Sequence, residues 1–256
     1  MNIILLSPQD EKSNSVYLLD DERAGHIINV LKSKPGDTIE IGIYNGDLGK
    51  AKVVGVQDGK VELEIIKTYP KVLNTPGIHL ICALPRPQTL KKILFHAASM
   101  GVERIDFIKS NRVEKSFYQS HLLRKEYYGK LIKLGMSQGK QTMAPEIFFH
   151  KKFKAYFENV FPYIERRKSL KLIAENTAHR TLFDIYTNNT GFVTVAIGPE
   201  GGWIPFEIDF MKNVGFIPFS ISKWTLRVEA AVISTLSQIE LLSNRMLKQQ
   251  PPSSNQ

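Results

Sequence analysis

The sequence predicts an α/β protein in two parts: a small β-rich N-terminal domain and a larger domain built on a parallel sheet. Three observations predict it. Alternating apolar and polar stretches fill residues 1–70 and are separated by Asn-Gly and Asp-Gly dipeptides, the pattern of antiparallel hairpins. Beyond residue 77, short continuous apolar runs alternate with helical stretches, the pattern of a parallel sheet covered on both faces. Between them, PKVLNTPG at 70–77 carries two prolines, an asparagine and a glycine, and marks a boundary. The expected organisation is 1–70, 71–248 and a polar tail, QQPPSSNQ at 249–256, too poor in apolar residues to order itself.

Taken in order, NIILL and SVYLL read as short strands. DDERAGHIINVLK reads as a helix capped by Asp20 or Asp21, with Ile27, Val30 and Leu31 on one face. TIEIGIY, KAKVVGVQ and KVELEIIKTY are three alternating strands, with Asn45-Gly46 and Asp58-Gly59 between them. They make a small antiparallel sheet or barrel. In the second part, IHLICAL, RIDFI, KLIAEN, VTVAIG and IPFSIS read as strands. Helices are expected over Thr89–Met100, Leu122–Met143 and PFEIDFMKNVG. A last helix runs from Val228 to Lys248. Its apolar residues Ala230, Ala231, Val232, Ile233, Leu236, Ile239, Leu241, Leu242 and Met246 spread around much of the circumference. Such a helix is expected to be buried on several sides, either deep in the fold or against a partner subunit.

Composition narrows the classes of function. The 256 residues include one cysteine, Cys82, so an intramolecular disulfide or a cysteine-based metal cluster is excluded. The six histidines stand singly, without HExxH or HxxxH spacing, and no metal centre is expected. No apolar run approaches the roughly 18 residues of a membrane span. The N-terminus lacks the basic flank and cleavage site of a signal peptide, and a cytoplasmic, reducing compartment is expected. The net charge is +9, but it is unevenly spread. Arg86–Lys171 holds 19 Lys and Arg against 7 Asp and Glu, whereas residues 1–70 hold 8 against 11. A concentrated positive field fits a polyanion such as nucleic acid; the alternative is solubility charge on exposed helix faces.

Three segments carry candidate chemistry. VTVAIGPEGGW, Val193–Trp203, is a buried strand ending in a turn rich in glycine and proline. Ligands of parallel sheets bind at such strand ends, and glycines there admit a close approach. A plain β-to-α turn explains the same residues. GxGxxG and the P-loop pattern are absent, so a nucleotide phosphate site is not supported. SISKWTLRVEAA, Ser220–Ala231, brings Arg227 and Glu229 to a strand–helix junction, as catalytic groups or as an ion pair capping the helix. The middle third interleaves Arg86, Lys91, Lys92, Arg104, Lys109, Arg112 and Lys115 with Phe117, Tyr118, Tyr127 and Tyr128. Phosphates want the cations and unstacked bases want the rings; a solvated helix surface is the alternative.

IGPEGG followed by a helix, then a strand, LRVEAA and a long apolar helix, resembles the SPOUT-class RNA methyltransferases. The closer resemblance is to the 16S ribosomal RNA (uracil-N3)-methyltransferase family. HIINVLKSKPGDTIEI with NGDLGKAKV looks like that family's PUA-like RNA-binding domain, and AASMGVERI, SNRV and SQGKQTMAPEI fall where it has its middle motifs. The resemblance covers nearly the whole chain. The family's usual LRTETA is here LRVEAA, with Val228 and Ala230 in place of threonines. His96 and Ser99 replace a Lys and a Glu, and Ser137-Gln138 and Gln141 replace Glu-Gln and an Arg.

What the resemblance implies is concrete. The second domain would hold a trefoil knot that binds S-adenosylmethionine, and the protein would be a homodimer acting on 16S ribosomal RNA of the small subunit. The cofactor would lie among Ala174, Glu175 and Asn176, among Gly198, Pro199, Glu200, Gly201 and Gly202, and among Ile221, Ser222 and Leu226. His26, Lys32, Arg86, Lys91, Lys92, Arg112 and Gln138 are the candidate RNA contacts. Arg227 would stabilise the anion formed when uridine loses its N3 proton. Glu229 would orient Arg227 or accept that proton, orientation being favoured because a carboxylate is a poor base for an imide. A different RNA nucleotide as target, or RNA binding without turnover, are the alternatives.

Overall fold

The structure is a computed structural model that describes residues 1–70, 76–166, 169–187 and 190–249, with the side chains of 246–249 excepted. Most of the expected boundary stretch and the tail from residue 250 lie outside the described residues. Gln249, assigned to the tail by sequence, is the last residue of the final helix. The chain divides into two compact units.

The first unit comprises Met1–Val72 together with Ala98–Gly101 and Lys130–Ala144. Its sheet has the order β1-β4-β5-β6-β3-β2, from strands β1 (Ile4–Leu6), β2 (Glu11–Ser13), β3 (Val16–Leu19), β4 (Thr38–Ile43), β5 (Leu48–Gln57) and β6 (Lys60–Tyr69). All neighbours are antiparallel except β1 and β4. Asn45, Asp58 and Gly59 adopt the positive φ that their turns demand. Leu6, Leu19, Ile27, Ile41, Val53 and Leu63 form its core. Asp21 caps the helix α1 (Glu22–His26) by accepting from the Arg23 amide. The expected continuation of α1 is not α-helical. Ile27–Leu31 winds as a π-helix and stops at Lys32, whose φ is +54°. The wider winding rotates Val30 and Leu31 off the Ile27 face, and they are 64% and 45% exposed.

The second unit holds Leu73–Ala97, Val102–Gly129 and Pro145–Gln256. Its sheet is wholly parallel, in the order β12-β10-β11-β7-β8-β9. The strands are β7 (Gly77–Ala83), β8 (Arg104–Ile108), β9 (Glu146–His150), β10 (Leu170–Ala174), β11 (Phe192–Ile197) and β12 (Ile217–Phe219). Central β11 is buried at every position, as a strand covered on both faces must be. Edge strand β9 has no buried position, and its five residues carry no signal that the sequence reading detected. Along the rest of the chain the helices are α2 (Pro87–Ser99), α3 (Lys125–Gly139), α4 (Phe153–Asn159), α5 (Phe161–Ile164), α6 (Leu182–Ile185), α7 (Pro205–Asn213) and α8 (Val228–Gln249), of which the end of α2 and α3 from Lys130 onward belong to the first unit. Helix α3 is shorter than Leu122–Met143. A 3-10 turn, His121–Leu123, precedes it, and Lys140 at φ +53° ends it. Gly139 is obligatory there: a Cβ would stand 1.9 Å from the Ser99 carbonyl oxygen.

Helix α8 is buried on one face, not several. Val228, Ala231, Val232, Thr235, Leu236, Ile239 and Leu242 recur at three- and four-residue spacing. Leu241 is 68% exposed. The side chain of Met246 lies outside the described residues.

Strands β7, β8 and β9 share a buried polar cluster. Asp106 accepts from Arg104 Nε at 2.6 Å and meets His79 Nε2 at 2.7 Å and His150 Nε2 at 2.6 Å. Burial would raise the Asp106 carboxyl, but the bonds from His150, His79 and Arg104 outweigh it and hold it far below the ordinary range. With Arg104 neutralising that carboxylate, burial prevails at His79 and lowers its pKa. Histidines scattered in sequence thus meet in the fold around one buried acid. Among the described residues no helix is long and apolar enough to cross a membrane.

Candidate active site

A cavity of about 380 Å³ opens at the carboxyl ends of β10 and β11, within the second unit. The end of β10 contributes Ala174, Glu175 and Asn176. The end of β11 and its turn contribute Ile197, Gly198, Pro199, Glu200, Gly201, Gly202 and Trp203. The segment after β12 contributes Ile221, Ser222, Trp224, Thr225 and Leu226, and α8 adds Val228 and Ala231. All eleven residues assigned by sequence to the cofactor therefore surround one space. Ile197, Trp203, Trp224, Thr225, Val228 and Ala231 were not assigned to the cofactor, although all six stand inside the two segments, Val193–Trp203 and Ser220–Ala231, that the sequence singled out.

Backbone hydrogen bonds fix these three segments. The Glu175 amide donates to the Phe219 carbonyl at 3.0 Å, and the Ser220 amide donates to Arg180 at 2.8 Å. Gln238 Nε2, on α8, donates to the Ile221 carbonyl at 3.0 Å. The turn closes on itself through the Gly202 amide and the Pro199 carbonyl, 2.8 Å apart, and Gly202 takes a φ of +73° that disfavours any other residue. The indole of Trp203 is buried, and its Nε1 has no hydrogen-bond partner.

Gly198 is small for a reason other than the expected one. A Cβ there would lie 3.2 Å from Trp203 Nε1, so the side chain it excludes is held off by the indole, not by a ligand alone. Gly201 is likewise covered by Arg112, whose Nη1 donates to the Gly201 carbonyl. The loop carrying Arg112 is anchored by Glu207. This carboxylate is 2% exposed and accepts from the Asn111 amide at 2.7 Å and the Ile204 amide at 3.1 Å. It sits in the first turn of α7, where the helix dipole favours an anion.

The two residues assigned to catalysis stand at the start of α8. The Arg227 carbonyl accepts from the Ala231 amide at 2.8 Å, and its side chain is exposed. Glu229, expected to orient Arg227, is hydrogen-bonded to Lys92. Its carboxylate accepts from Lys92 Nζ at 2.9 Å, because α2 brings the ammonium to it. Lys92, by hydrogen bonding, holds the Glu229 carboxyl below its ordinary range, which makes it a still weaker base.

The candidate RNA contacts are divided between the units. Arg86, Lys91, Lys92 and Arg112 belong to the second, and Arg112 lines the cavity. Arg86, Lys92 and Arg112 are exposed, and Lys91 is half-buried. His26, Lys32 and Gln138 belong to the first unit. Lys32 and Gln138 are exposed. His26 Nε2 is buried without a partner, so that nitrogen is not presented to RNA. Gly135–Gly139 has the form G-x-S-x-G, but it lies inside α3 with Ser137 buried, not at the strand-to-helix turn of a nucleophile elbow.

Residues 73–240 match the model of the RNA methyltransferase domain, and residues 19–66 match that of the RNA methyltransferase PUA domain. The ribosomal RNA small subunit methyltransferase E 1 of Borreliella burgdorferi is 28% identical over 91% of this chain and 95% of its own length. The ribosomal RNA small subunit methyltransferase E of Treponema pallidum is 26% identical over 93% of this chain and 90% of its own. Among solved structures, the small subunit methyltransferase E of Neisseria gonorrhoeae, bound to S-adenosyl methionine, aligns with a TM-score of 0.75. That alignment covers 94% of this chain and 98% of the other at 19% identity, a likeness of fold.

Proposed function

Because this chain belongs to the RNA methyltransferase family, we propose that it moves a methyl group from S-adenosylmethionine to N3 of a uridine in 16S ribosomal RNA. The relatives that match along nine-tenths of the chain carry ribosomal small-subunit methyltransferase names. The observation that carries the reading is the convergence of three separate segments on one cavity at the strand ends. Its residues fit the cofactor. The apolar wall of Ile197, Leu226, Val228 and Ala231 suits an adenosine face. Glu175 and Glu200 supply carboxylates to a ligand that is cationic.

When bound, S-adenosylmethionine supplies a methyl group already activated by the positive charge on sulfur. The chain's own task is to position uridine and to accommodate the charge left when the N3 proton departs. Arg227 stands in sequence between Leu226 and Val228, both of which line the cavity, and cannot act as a base. It stabilises negative charge spreading onto O2 and O4 once the bound substrate covers it. Glu229 holds Lys92 beside the same helix end, adding a second cation.

The exposed Leu241 of α8 and Phe183 of α6 leave an apolar surface where these helices meet, with Arg245 over the Phe183 ring. We assign it to a second copy of the chain, and a protein that modifies ribosomal RNA is expected to work in the cytoplasm. Nucleoside mass spectrometry of 16S RNA from a deletion strain tests the reaction. Loss of N3-methyluridine supports it; loss of another methylated nucleoside moves the target. Unchanged RNA, with no S-adenosylmethionine binding by calorimetry, leaves a binding protein without turnover.

A further inference from the structure

The chain has two tryptophans, and both line the cavity. Trp203 is buried in its wall, whereas Trp224 is 79% exposed. Large aromatic rings are seldom left so open to water. The backbone beneath Trp224 is not loose. The Trp224 amide donates to Ser222 Oγ at 3.1 Å, Ser220 Oγ donates to the Ser222 carbonyl at 3.1 Å, and Gln238 holds Ile221. The result is a fixed loop that presents one unburied indole on a ligand cavity.

We infer that Trp224 is the platform on which the target uracil stacks, a substrate-positioning role at the mouth of the cavity that rests on the methylation proposed above. Strand ends and the start of α8 form the inner side of the cavity, where S-adenosylmethionine would lie. A second reactant meets that ligand from the solvent side, where Trp224 stands. Arg112 lines the same cavity and is also exposed. An aromatic face with a guanidinium nearby is what a nucleotide taken out of its stack requires: a surface for the base and a charge for the phosphate. Stacking tolerates any base, so Trp224 supplies affinity and ring orientation, not the choice of uridine.

The experiment compares wild type with Trp224→Ala, Trp224→Phe and Trp224→Leu. Oligouridylate and an abasic oligomer of equal length are the probes, each added at saturating S-adenosylmethionine. The difference in emission between wild type and Trp224→Phe isolates the exposed indole. Oligouridylate is expected to quench it and the abasic oligomer is not. Trp224→Ala is expected to weaken oligouridylate binding on the order of tenfold to a hundredfold, with Phe restoring most of the loss and Leu little of it. Calorimetric affinity for S-adenosylmethionine is expected to stay within about twofold. Equal quenching by the abasic oligomer would overturn the inference, as would equal rescue by Leu. Loss of cofactor affinity with oligouridylate binding intact would make Trp224 an adenine wall instead. Dissociation of an oligomer in Trp224→Ala, with RNA binding intact, would make it an interface residue. The binding arms need no turnover, so failure of the methylation proposal registers separately, as wild type that binds oligouridylate without methylating ribosomal RNA.

Discussion

Lys92 Nζ lies 2.9 Å from Glu229 Oε1, joining α2 to the first turn of α8 across 137 residues of sequence. The pair keeps Glu229 ionised into more acidic solution than a free carboxylate. Lys92→Met removes the cause, so the Glu229 pKa rises. If the reaction needs that carboxylate charged, the acid limb of the single-turnover rate moves to higher pH. An unmoved limb would show that the reaction does not sense Glu229.

Arg227→Ala tests the anion-stabilising role. Binding of RNA and of S-adenosylmethionine should change little, while single-turnover methylation falls by on the order of a hundredfold. Loss of RNA affinity with an unchanged saturated rate would identify Arg227 as a phosphate clamp.

Gly198→Val drives a side chain at the Trp203 indole, only 3.2 Å from the first added carbon. The indole must shift and the wall of the cavity with it. Cofactor binding by calorimetry should be lost, with circular dichroism showing a folded protein. Unchanged affinity would remove Gly198 from the site.

Asp106→Asn removes the charge that Arg104 and two imidazoles share and turns one of its two accepting oxygens into a donor. Denaturant unfolding should report a loss of about 3–5 kcal/mol near neutral pH, the usual result of breaking a buried charge pair on one side. The wild type should also weaken in acid. Below about pH 6.5 the unfolded chain takes up a proton that buried His79 resists. Below about pH 3.8 unfolding releases the Asp106 carboxylate to be protonated, and its stabilisation is lost as pH falls further. Asp106→Asn should lack this second decline.

Local patterns were legible in the sequence. RIDFI coincides with β8, KVELEIIKTY with β6, and the GPEGG turn does end a buried strand. The eleven cofactor positions came through resemblance, and the fold brings them around one cavity. What the sequence hid depends on distant partners. Nothing near Lys92 announces Glu229, and nothing near His79 announces Asp106 or His150. Trp203 is a buried aromatic, and nothing in its local pattern signals its contact with the Gly198 turn. The π winding after His26 escaped because its apolar spacing also fits an α-helix.

The first unit cannot be cut from the chain at the boundary its sequence marks. Asn2 and Ile3 both donate to the Ser137 carbonyl, and Asn45 donates to Thr142 and accepts from the Ala144 amide. On a ribosome making the chain from its first residue, those early strands wait for more than half of the message to be read before their last acceptors emerge. A fragment ending at Val72 would carry the N-terminal strands with these bonds open to water. Expression of the first unit alone is therefore a problem of splicing in Lys130–Ala144, not of choosing a better stop codon.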